Sequence, residues 1–179
     1  MKFTENFEEI VDLRPLTAGE VLVTPSGLVL QLLEVEAKHS PEKLRKPSGT
    51  FRSHASQYFT GEQPKMIFGT NELVIGDGAH MKITFLEPAK NLRFQYYQVP
   101  DYTSEDIAFT GKAFKDMNAA DLNFFFRAFH DRQEKVHMQV PQGFTEIRWG
   151  EYTAGPFTSV IFENNLIGSL HIDQISWEN

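Results

Sequence analysis

Through most of this chain apolar and polar residues alternate with a period of two, the spacing of a strand with one face packed and one face open. In "GEVLVTPSGLVLQLLEVEA" (residues 19–37) two runs rich in Val and Leu flank Thr24-Pro25-Ser26-Gly27. Pro presets a turn there and Gly tolerates positive φ, so the stretch predicts a β-hairpin. Leu28, Leu30 and Leu32 fall on one side of its second strand and Val29, Leu33 and Val35 on the other, while Glu34 and Glu36 mark the return of one face to water.

"MIFGTNELVIGDGAHMKITFLEPAKNLRFQYYQ" (66–98) predicts a meander, with Asp77-Gly78 as a tight turn and Glu87-Pro88-Ala89-Lys90-Asn91 as a longer one. Met81, Ile83 and Phe85 oppose Lys82 and Thr84, and Leu92, Phe94 and Tyr96 oppose Arg93 and Gln95, which predicts one packed face and one wet face. "FTEIRWGEYTAGPFTSVIFENNLIGSLHIDQISWEN" (144–179) alternates again, with Ile147 and Trp149 on one face and Asn164-Asn165 as the turn of a last hairpin. One segment departs from this rhythm. In "NAADLNFFFRAFHDRQEK" (118–135), Leu122, Phe125, Phe126 and Phe129 fall at i, i+3, i+4 and i+7. Asn118 is placed to cap, and Arg132 and Lys135 suit the negative end of a helix dipole, so an amphipathic helix over about 119–133 is predicted.

Roughly nine to eleven short strands and one helix predict a mainly β fold, an antiparallel sandwich or barrel with the helix packed on it. The 179 residues suit a single domain, with a long basic loop at 38–65. Hydrophobic residues at 41% and charged residues at 23% are those of an ordinary globular chain, and sixteen Phe supply large rings for a core or an interface. No apolar run is long enough to span a bilayer, and acids interrupt the amino-terminal "MKFTENFEEIVDL" where a signal peptide needs an apolar block, so a cytoplasmic protein without a membrane partner is expected. The absence of Cys excludes disulfides, thiolate metal sites and cysteine nucleophiles.

Candidate chemistry is sparse. The six His residues, at 39, 54, 80, 130, 137 and 171, show no His-x-His pair and no HExxH helix, so neither a metal nor a cofactor is expected. "LHIDQ" (170–174) places His171 and Asp173 on one face of a strand but supplies no third ligand, and reads as an alternating surface strand. "GTNELVIGDGAH" has glycines in an order other than GxGxxG and reads as turn punctuation. There is no Walker Lys, no GxSxG and no SxxK. Ser, His and Asp distant in sequence could still meet in space. A ring-rich helix could line a pocket, but covering a sheet is reason enough for such a stripe.

Charge is the more distinctive feature. The chain carries a net −7, yet residues 38–65 hold Lys38, Lys43, Arg45, Lys46, Arg52 and Lys65 against Glu42 and Glu62, a local +4 that leaves −11 elsewhere. A long aperiodic connection of this kind commonly marks a binding loop. Lys43, Arg45, Lys46 and Arg52, with the rings of Phe51, Tyr58 and Phe59, are therefore the expected partner-binding residues. The partner would be a copy of the same chain or another acidic subunit, and no catalytic residue is assigned. The order of elements, with early strands, a long loop, a late helix and a closing strand ending "ISWEN", resembles the tube-forming proteins of phage tails and contractile secretion systems. The division of charge predicts a non-enzymatic structural or assembly protein whose basic loop docks on a neighbouring subunit in a ring or stacked oligomer; the resemblance adds the expectation of a phage-tail-like or other tubular component and carries over no individual residue. Two alternatives compete. One is a small-molecule-binding β-barrel or cupin-like metal enzyme with His80, His137 or His171 turned inward. The other is a single-strand nucleic-acid binder using Arg45, Lys46 and Arg52, which the −11 body disfavours.

Overall fold

The structure is a computed structural model that describes residues 1–11, 15–33, 49–53, 71–76, 79–100, 124–140, 147–164 and 168–179. These residues form twelve strands: β1 (Lys2–Glu5), β2 (Pro15–Leu16), β3 (Val21–Val23), β4 (Val29–Leu32), β5 (Gly49–Ser53), β6 (Asn71–Ile75), β7 (His80–Pro100), β8 (Phe124–His130), β9 (Gln133–Val140), β10 (Arg148–Tyr152), β11 (Phe157–Asn164) and β12 (Gly168–Glu178). Every pairing among them is antiparallel. No described residue is helical, and none lies in a helix long and apolar enough to cross a membrane.

Two sheets face one another as a sandwich and share β7. Sheet A runs β2-β5-β6-β12-β7-β10, with β1 beside the far end of β12 on the same side as β6. Sheet B runs β3-β4-β7-β11-β8-β9. The first half of β7 belongs to sheet B and pairs β4 and β11; the second half belongs to sheet A and pairs β12 and β10. Asn91, with φ of 52°, sits where the strand passes between layers. Residues 87–91 thus carry the chain from one sheet to the other, where a hairpin turn was expected.

The core lies between the layers. Leu30 and Leu32 of β4, Met81, Ile83 and Phe85 of the first half of β7, and Phe126 and Phe162 from sheet B meet Phe94, Tyr96, Leu170, Ile172 and Trp177 from sheet A. Phe94 binds the two layers: its ring meets Phe162 edge-on at 4.9 Å and stacks on Phe126 at 5.9 Å. A Cβ on Gly150 of β10 would come within 2.3 Å of the Phe94 ring, so only glycine lets β10 cross that ring.

The β3–β4 hairpin forms as expected, with Gly27 at φ of 89°. The helix does not. Residues 124–133 of the expected helix are β8, a turn at Asp131-Arg132 and the start of β9, while 119–123 lie outside the described residues. The run of Phe satisfies either period. As a strand it buries Phe124, Phe126 and Ala128 opposite Val140, Met138 and Val136 of β9, and its other edge pairs β11. Aromatic residues favour such half-buried pleated positions, and two neighbouring strands hydrogen-bond the whole segment. With the helix replaced by a strand, the element order behind the likeness to tube-forming proteins no longer holds.

The strands on either side of the other turn signals have different partners from those expected, while Asp77-Gly78 and Asn165 themselves lie outside the described residues. β6 belongs to sheet A and the start of β7 to sheet B, so the layer changes between Gly76 and Ala79; β11 and β12 are likewise in different sheets. Buried Asn164 laces the two corners together, its Nδ2 donating to the carbonyls of Ile75 and Gly76 and its N–H to that of Ala79.

Candidate functional site

The face of sheet A that points away from the core carries the chemistry. Alternation on β12 sends Leu170 and Ile172 inward and Ser169, His171 and Asp173 outward. Tyr97 of β7 stands directly opposite His171, Gln95 of β7 opposite Asp173, and Glu72 arrives from β6 on the other side. This face was expected to be wet. Instead Glu72 and His171 are fully buried, and Gln95, Tyr97 and Asp173 nearly so. "LHIDQ" alternates as expected, but its polar face is interior and not surface.

Within it four side chains form one chain of hydrogen bonds. His171 Nδ1 lies 2.8 Å from Glu72 Oε1, and His171 Nε2 lies 2.7 Å from Ser169 Oγ. The Tyr97 hydroxyl donates to Glu72 Oε2 at 2.7 Å, and its ring stacks on the imidazole at 4.5 Å and 14°. A carboxylate only accepts, so in the neutral imidazole the Glu72 contact puts the ring proton on Nδ1 and leaves Nε2 as the acceptor for the Ser169 hydroxyl. Carboxylate, imidazole and hydroxyl then stand in the atom order by which a serine is activated. Burial grades along the chain in the matching sense, because the Glu72 end is closed and Ser169 is only half-buried.

A second polar group adjoins the first. Asp173 Oδ1 accepts from the backbone N–H of Gln174, a residue at φ of 50°, while Asp173 Oδ2, Gln95 Nε2 and Gln174 Nε2 have no hydrogen-bond partner among the described residues. Burial pushes the Asp173 carboxyl up to about 8, and the carboxyls of Glu72, Glu8 and Glu5 add to the rise. Asp173 is therefore a neutral acid at pH 7. Glu5 itself is held by the N–H of Phe7 at 2.7 Å and the hydroxyl of Ser26 at 2.5 Å. The described residues contain no group of three or more His, Asp or Glu that could hold a metal ion.

Of the residues expected to bind a partner, Lys43, Arg45, Lys46, Tyr58 and Phe59 lie outside the described residues. Phe51 and Arg52 fall in β5, where they pair with Leu73 and Glu72 of β6, so the middle of the expected loop is a strand of sheet A. Of the three His residues considered for a pocket, His171 is interior, whereas His137 sits half-exposed on the outer face of sheet B, edge-on to Phe125 at 5.3 Å and 3.9 Å from Glu163. His80 stands opposite Glu163 in the β7–β11 ladder. The structure does not bring the three together. Glu72 went unnoticed in the sequence, where the available signal was one acid beside the apolar run Leu73-Val74-Ile75; the structure buries all of β6.

No family model and no curated protein matches the chain. Among solved structures it is similar to CBM51 from Clostridium perfringens GH95 in complex with methyl-galactose, at 8% identity and a TM-score of 0.38 over 98% of this chain and 100% of that one. It is similar also to the Clostridium perfringens ZmpB M60 catalytic domain with its CBM51-1 and CBM51-2 domains, at 10% identity and a TM-score of 0.39, over 93% of this chain and 19% of that one. A third likeness is to the CBM22-1 and GH10 modules of Clostridium thermocellum xylanase 10B complexed with xylohexaose, at 10% identity and a TM-score of 0.35, over 71% and 25%. None reaches a TM-score of 0.5, and what those proteins bind is a property of theirs.

Proposed function

We propose that the protein is a serine hydrolase acting on an ester, with Ser169 as nucleophile, His171 as general base and Glu72 as the group that orients the imidazole. The observation that carries this reading is the continuous Ser169–His171–Glu72 hydrogen-bond line, with both contacts below 3 Å and the serine at its more accessible end. The Ser169 hydroxyl gives its proton to His171 Nε2 as Oγ bonds the ester carbonyl carbon. The bond to the leaving oxygen then breaks, and that oxygen takes the proton from Nε2. Water attacks the acyl-serine, giving one proton to Nε2; the acid departs and Ser169 Oγ is reprotonated.

The test uses the full chain with a fluorophosphonate probe and p-nitrophenyl acetate. The unsubstituted protein labels at Ser169 and hydrolyses the ester, and Ser169→Ala, folded by circular dichroism, loses labelling and at least about a thousandfold in rate. Absence of labelling in the unsubstituted protein, or labelling that survives in Ser169→Ala, overturns the reading.

A second reading retains the docking expectation for the parts of the basic segment that flank β5. It is supported by the division of charge, +4 on residues 38–65 and −11 on the remainder, which makes two copies electrostatically complementary.

A further inference from the structure

We propose that Tyr97 is a positioning residue that sets the pH at which the Ser169–His171–Glu72 relay works, an inference that rests on that relay being the working site. Among the described residues, three elements converge on the imidazole of His171. Tyr97 on β7 is its direct cross-strand neighbour and covers one ring face. Glu72 on β6 takes one edge through Nδ1, and Ser169 on β12 takes the other through Nε2. Tyr97 reaches past the ring to give its hydroxyl proton to the second oxygen of the same carboxylate. One side chain thus fixes both the plane of the base and the carboxylate that orients it.

The hydroxyl also tunes charge. A hydrogen bond to Glu72 Oε2 draws off part of the negative charge that would otherwise favour a protonated imidazole. The other ionisable groups near this pair among the described residues are Arg52, at the register position opposite Glu72 on β5, Asp173, two positions along β12, and beyond it Glu5 of β1 and Glu8; Gln95 and Val74 are uncharged. Asp173, pushed up to about 8 chiefly by burial, is neutral below that pH, so Glu72 is the carboxylate that acts on the ring where the relay operates. Because His171 must be neutral to accept the Ser169 proton, anything that raises its proton affinity moves the acid limb of the rate profile upward.

Tyr97→Phe keeps the stacked ring and deletes the hydroxyl. The acid limb of kcat/KM moves up by about one pH unit relative to the unsubstituted protein. Proton NMR titration of the His171 ring in Ser169→Ala, with and without Tyr97→Phe, shows the same upward displacement without relying on turnover. A midpoint that stays put or moves down, or a fallen plateau with no displacement, overturns the proposal. Failure of fluorophosphonate to label Ser169 would instead overturn the hydrolase reading, and the two failures are distinguishable because labelling does not require Tyr97.

Discussion

At the level of single residues, the outer face of sheet A is held together by groups in unusual states. Asp173 is the plainest case. Its folded carboxyl titrates near 8 against 3.8 in an exposed state, so folding takes up a proton between those pH values. A raised acid contributes its full stability only below the lower value, and the contribution is lost as pH climbs toward 8. Asp173→Asn, which is neutral throughout, should therefore melt higher than the unsubstituted protein at pH 7.5, by up to several kcal/mol. The gap should close near pH 4; thermal melts across that range would refute the assignment if the gap is constant. Gly150 gives a steric counterpart. Gly150→Ala drives a methyl into Phe94 and should cost about 1–3 kcal/mol by urea denaturation, whereas an unchanged midpoint would mean that the ring has room to turn.

At the level of elements, the β8–β9 hairpin shows how a sequence can satisfy two periods at once. Phe125, Phe126 and Phe129 trace a helical stripe; Phe124, Phe126 and Ala128 trace a strand face. The local pattern favours neither, and the pairing partners decide. Substitution separates the two directly. In the strand Phe124 is buried edge-on to Tyr96 at 5.0 Å, and Phe125 is half-exposed beside His137. Phe124→Ala should cost about 3–5 kcal/mol and Phe125→Ala well under half of that. A helix with its stripe through Phe125 would reverse the order. The turn between these strands, Asp131-Arg132, has Asp131 at φ of 54° and its N–H on the Thr158 hydroxyl, a tertiary contact that no dipeptide rule anticipates.

At the level of the whole molecule, charge and topology make separate claims. Segregated charge makes self-association sensitive to salt, because a Debye length of about 10 Å at 0.1 M shrinks to about 3 Å at 1 M. If the flanks of β5 dock on acidic surfaces of other copies, light scattering after size exclusion should show large species at low salt that shrink at 1 M. A monomer under both conditions removes the docking reading and leaves the relay untouched. Topology, for its part, creates the relay by closing a loop of more than half the chain: Glu72 and His171 are separated by 99 of its 179 residues and meet because β6 and β12 become neighbours in sheet A.

What the chain could declare by itself was everything local. Alternation established a β fold, the inward set Met81, Ile83, Phe85, Leu92, Phe94 and Tyr96, the β3–β4 hairpin and the closing strand. Turn residues showed where the backbone changes direction, since Gly, Pro and Asn act through their own φ preferences. They could not say to which neighbour the chain turns. Whether the strands after Asp77-Gly78 and Asn164 fold back or cross to the opposite layer depends on apolar area buried between segments far apart in sequence. Tertiary structure alone decided that crossing, and with it the burial of a polar face expected to be wet and the meeting of Ser169, His171, Glu72 and Tyr97.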